Sequence, residues 1–120
     1  MYLQFEAQEV HYSEALGGDL VQVHFQEHSD PDIDYSKKNQ IPPPIKGVTI
    51  SANYEFPPYD SLVEWCDGED YNGGLKIKKI ELTKTSLTLV LENQFNINVS
   101  FKTDDITFKK IQIFLLDNNK

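Results

Sequence analysis

Leu87-Thr88-Leu89-Val90-Leu91-Glu92-Asn93-Gln94-Phe95-Asn96-Ile97-Asn98-Val99-Ser100-Phe101 decides the fold class. Successive side chains of an extended chain point to opposite faces, so Leu87, Leu89 and Leu91 share one side. Asn93-Gln94 reads as a turn. Phe95, Ile97, Val99 and Phe101 then resume the alternation, with Asn and Ser between them. Leu75 to Leu82 precedes this pair as a strand with a phase break at Lys78-Lys79. Strands this close in sequence predict a meander.

The same period of two runs outward from there. Val48, Ile50, Ala52, Tyr54 and Phe56 form the cleanest alternation in the chain, ended by Pro57-Pro58. Near the start, Leu3, Phe5 and Ala7 share a face. Val10 and Tyr12 continue out of phase, which predicts a bulge or a bend. Gly17-Gly18-Asp19 is a turn, and Val21, Val23 and Phe25 alternate with Gln22, His24 and Gln26. Residues 2–27 therefore read as a hairpin. Two regions break the pattern. Residues 28–46 hold the acidic Asp30-Pro31-Asp32-Ile33-Asp34 and the stiff Pro42-Pro43-Pro44; a loop of this length is either mobile or functional. Residues 59–74 read as irregular, with a short extended piece at Leu62 to Trp65. Thr103-Asp104-Asp105 supplies a helix cap and first-turn acids, and Phe108, Ile111, Phe114 and Leu115 follow at helical spacing. A strand through Ile111, Ile113 and Leu115 competes with that helix; the cap favours the helix. The expectation is α+β: a mainly antiparallel sheet of about six strands with a C-terminal helix packed on it, as a single domain over 1–120.

Charge is distributed unevenly. Residues 1–74 hold fourteen carboxylates against three Lys, and residues 75–120 hold five against eight, giving the net charge of −8. There is no Arg. A nucleic-acid binder needs a basic footprint, so nucleic acid is not an expected partner. Lys76, Lys78 and Lys79, the one basic run, read as a solvated strand face. No stretch approaches the roughly 18 apolar residues of a membrane span, so no membrane partner is expected. The N-terminal residues have neither the basic nor the apolar part of a signal peptide, and the lone Cys66 cannot make an internal disulfide. Both point to a cytoplasmic location. Asn98-Val99-Ser100 matches the glycosylation triplet, a coincidence in such a protein.

No reaction centre is spelled out, and no enzyme activity or cofactor is expected. His11, His24 and His28 fall short of a zinc set, although His11 and His24 could meet across the first hairpin. Cys66 lies between Glu64 and Asp67, whose charge disfavours the thiolate a nucleophile needs; it reads as a packing residue beside Trp65. Asp67 to Gly74 is carboxylate-rich but lacks the calcium-loop spacing of an EF-hand. It reads either as a solvated acidic turn or as part of an interface. Aromatic anchors ringed by charge are the composition of a binding patch. Tyr59, Trp65 and Tyr71 are the anchor candidates, and Trp65 reads equally well as core.

Val63-Glu64-Trp65-Cys66-Asp67-Gly68-Glu69-Asp70-Tyr71-Asn72-Gly73-Gly74, with the size and acidity of the whole chain, resembles the immunity proteins of bacterial toxin–immunity systems, those of contact-dependent inhibition and polymorphic toxins. The resemblance implies a protein that binds and neutralises one cognate toxin domain, commonly a nuclease with a basic cleft. Glu64, Asp67, Glu69 and Asp70 would supply the charge, with Asp30, Asp32 and Asp34 as a second acidic strip. Two other readings stay open: a structural or assembly subunit of a phage or secretion system, and a small calcium- or ligand-binding module.

Overall fold

The computed structural model describes residues 2–15, 17, 20–28, 45–53 and 61–117. Eight strands form: β1 (Tyr2–Ala7), β2 (Glu9–Ala15), β3 (Leu20–Gln26), β4 (Gly47–Asn53), β5 (Ser61–Cys66), β6 (Tyr71–Leu82), β7 (Ser86–Leu91) and β8 (Asn96–Phe101). They join in one sheet of order β1-β8-β7-β6-β5-β4-β3-β2. From β2 to β8 every neighbour is antiparallel, so the meander expected for the last strands covers seven; only β1 on β8 is parallel.

Chain connectivity forces this sheet to curl. β1 and β2 are its two edges, yet Gln8 alone separates them. A flat sheet of eight strands would hold its edges about 33 Å apart, at about 4.8 Å per step. One residue spans a tenth of that. The edges must therefore come together, and the Gln8 amide donates to the Gln26 carbonyl at 3.0 Å where they do. The phase change between Ala7 and Val10 is this corner. The result is a nearly closed, barrel-like sheet.

The opposite corner lies in β6. Its first half pairs with β5 and its second half with β7. Two register shifts mark the change of direction. Gly74, at φ +82°, is the extra residue against β5, and Lys78 is the extra residue against β7. An inserted residue bends its strand, and a left-handed glycine is a usual way to make the bend. The phase break expected at Lys78-Lys79 has this cause.

The inward residues of both halves make one core. Val23, Phe25, Val48, Ile50 and Val63 from one half meet Leu87, Leu89, Ile97 and Phe101 from the other. Fully burying a side chain of this size contributes roughly 1.5–3 kcal/mol. Two ring pairs join the halves: Phe25 with Phe101 at 5.1 Å, and Trp65 with Phe95 at 4.9 Å. The helix α1 (Asp105–Gln112) runs on into a π-helical turn, Ile113–Asp117. It inserts Ile111, Phe114 and Leu115 into the core, which settles the helix-or-strand alternative. Asp104 caps it, accepting from the Thr107 amide at 2.7 Å.

Three expectations are corrected. Among the described residues there are eight strands, not about six. β1 leaves the first hairpin to pair with β8, so only β2 and β3 form it. The stretch read as irregular, residues 59–74, holds all of β5 and the start of β6; pairing along the β5–β6 hairpin extends strand structure through Asn72-Gly73-Gly74, which are poor β formers by themselves. Tyr54, Phe56 and the loop with Asp30, Asp32 and Asp34 lie outside the described residues.

Candidate functional site

Register builds the site. Core residues of β3, β4 and β5 take one parity, so the other parity forms the outer face. One cross-strand row there is His11, His24, Thr49, Glu64 and Gly73. The next is Glu9, Gln26, Gly47, Cys66 and Tyr71. Residues scattered from Glu9 to Gly73 thus share two adjacent rows. Between these rows lies a cleft of about 260 Å³, lined by His24, Gly47, Thr49, Glu64, Cys66 and Tyr71 among others.

His24 is fixed in place from both sides. Its Nδ1 lies 2.6 Å from Thr49 Oγ1 and its Nε2 lies 2.7 Å from Gln26 Oε1. Gln26 Nε2 donates to the His28 carbonyl, so its Oε1 must be the acceptor for His24. In the neutral ring the proton therefore sits on Nε2, and the Thr49 hydroxyl donates to Nδ1. Gly47 lies beside the ring: a Cβ there would crowd the Phe25 carbonyl oxygen at 3.0 Å while meeting His24 Cε1 at an ordinary 3.6 Å. Gly73 makes room for Glu64, whose Cγ would stand 2.5 Å from an added Cβ.

The β5–β6 connection is Asp67-Gly68-Glu69-Asp70. Asp67 Oδ1 accepts from the amides of Glu69 and Asp70, both at 2.9 Å, and Gly68 takes φ +98°. The Asp70 and Glu69 amides hold the Asp67 carboxyl below its ordinary value of 3.8, with a smaller effect from Lys46. Asp67 is therefore a turn residue that also carries charge. Glu69 and Asp70 point their carboxylates to solvent, and Tyr71 follows them at 75% exposure.

The structure thus brings together Glu64, Asp67, Glu69, Asp70 and Tyr71 along one hairpin. Trp65 departs from that group. It is 7% exposed and stacked on Phe95, so its ring serves the core, the second of the two readings the sequence left open. Cys66 is a buried free thiol, as its packing reading requires. Tyr59, Asp30, Asp32 and Asp34 lie outside the described residues. His11 stands opposite His24, as the hairpin spacing allows, but no cluster of three metal-ligating side chains occurs among the described residues. Gly47 and Thr49 escaped the sequence reading, because only the register of β3, β4 and β5 places them beside Glu64. The outward parity of His24 and Gln26 was the available signal. Among the described residues no helix is long and apolar enough to cross a membrane. Comparison with protein-family models, curated proteins and solved structures finds no match to this chain.

Proposed function

We propose that this protein is an immunity protein: it binds a basic toxin domain through the outer face of β3–β6 and the β5–β6 turn, and so occupies the toxin's substrate-binding surface. The observation that supports this most is the exposed group Glu64, Glu69, Asp70 and Tyr71 on one hairpin. Glu64 has no ion-pair partner among the described residues. Through residue 74 the described residues hold eight carboxylates and one Lys, Lys46. Such a surface raises the encounter rate with a cationic partner and rejects anionic ones. The exposed Tyr71 ring supplies contact area at low entropic cost and would slow dissociation.

The test is capture of a partner by the intact protein at low and at moderate salt, followed by co-expression of the captured domain with and without this chain. A basic domain whose growth inhibition is relieved by this chain is the expected result. Glu69→Lys with Asp70→Lys should weaken that binding by at least about tenfold. Asp67 is left alone because its carboxylate holds the turn. Equal affinity in the double variant would remove the hairpin from the interface, and a captured domain that is acidic or harmless would remove the immunity reading.

A further inference from the structure

The cleft beside Glu64 has features that an acidic surface does not need. Its volume of about 260 Å³ lies just under the roughly 300–1,000 Å³ of small-molecule pockets, a size suited to one long side chain. Gly47 leaves its floor without a side chain. His24, held by Thr49 and Gln26, forms a rigid wall. Glu64 and Tyr71 stand diagonally across the β5–β6 pair, because Glu64 faces Gly73 and Tyr71 lies two residues before it on the same face. Diagonal neighbours are about 7–8 Å apart, within common reach of one planar group.

We infer that this cleft receives a guanidinium: an arginine side chain presented by the basic partner, paired with the Glu64 carboxylate and stacked on the Tyr71 ring. This rests on the proposed function and names the group that the face selects. Guanidinium is planar, binds carboxylate through two parallel N–H donors and stacks on aromatic rings; ammonium does neither. Its weaker hydration also suits a cleft with a buried thiol at its side. The chain has no Arg of its own, so no internal guanidinium competes for the site.

The test titrates N-acetyl-arginine amide into the intact protein and follows backbone amide resonances. Saturable shifts at Gly47, Thr49, Cys66 and Asn72, with a millimolar dissociation constant, are expected. Glu64→Gln should weaken binding at least about tenfold, and Tyr71→Leu about threefold. Both side chains are exposed, so the variants should keep the parent spectrum elsewhere. N-acetyl-citrulline amide, the neutral analogue, should give no saturable shift. Absent shifts, equal binding of the citrulline probe, or full affinity in Glu64→Gln would each overturn the inference, and equal binding of N-acetyl-lysine amide would overturn the guanidinium assignment. Failure here with a basic partner still captured through Glu69 and Asp70 would leave the immunity reading standing. Probe binding without any toxin partner would do the reverse.

Discussion

Gly73 constrains the site more tightly than any charged residue in it. An alanine there would normally stabilise a strand by reducing unfolded-state entropy, by about 0.4–1 kcal/mol. Here the new Cβ would meet Glu64 Cγ at 2.5 Å, Cβ at 2.9 Å and Cα at 3.1 Å. Cβ and Cα cannot swing away, so β5 and β6 would have to part, at an overpacking cost of about 1–3 kcal/mol. Gly73→Ala should therefore lose about 1–2 kcal/mol in urea unfolding. Glu64→Gly in the same chain should restore most of it. A neutral Gly73→Ala would show that the hairpin yields at this point. Gly68 and Gly74 take left-handed backbone, with φ of +98° and +82°, whereas Gly73 is required by a neighbour's bulk. The distinction was illegible in one dimension because Glu64 and Gly73 become a pair only once the register is set.

At the scale of elements, the helix was legible over its competing strand reading, and its cap shows why. Asp104 accepts from the Thr107 amide at 2.7 Å and from the Thr107 hydroxyl at 2.9 Å. These bonds, the amide first, hold its carboxyl below the ordinary 3.8. Asp67 is lowered likewise by amides of its own turn. A carboxyl lowered in the folded state binds fewer protons there than in the unfolded chain. Its stabilisation is complete above about pH 4 and is lost as the pH falls below 3.8 through the folded value. Asp104→Ala should lower the melting temperature by several degrees at neutral pH, and the deficit should shrink toward pH 2. A deficit independent of pH would mean that the cap acts without its charge. Caps and alternating strands are local signals. The start of β6 was not: Asn72-Gly73-Gly74 extends only because β5 offers its ladder. Strand identity there is a tertiary effect, and β6 was read short for that reason; the count of about six fell short because β1 and β2 were read as one arm and β5 as a short extended piece.

For the whole molecule, the seam at Gln8 sets the shape. Its amide bond to Gln26, at the end of β3, carries the β2–β3 pairing into the corner from which β1 departs. Gln8→Pro removes the donor and leaves the carbonyl without it, a loss of about 1–3 kcal/mol. Amide exchange in β1 and β2 should quicken more than in β4 or β7. Uniform exchange across the sheet would mean that the seam contributes nothing to closure. The sequence signalled the bend through the phase change from Ala7 to Val10, but not its destination, since the partner of β1 lies at the far end of the described chain. That pairing imposes an order on synthesis. Residues 2–7 leave the ribosome well before the strand they dock against, residues 96–101. The β2–β6 meander can fold locally in the meantime, while Leu3, Phe5 and Ala7 wait uncovered. Residues 2–7 thus stay a sticky apolar segment until the closing strand emerges, and a chaperone that engages early would find its target there.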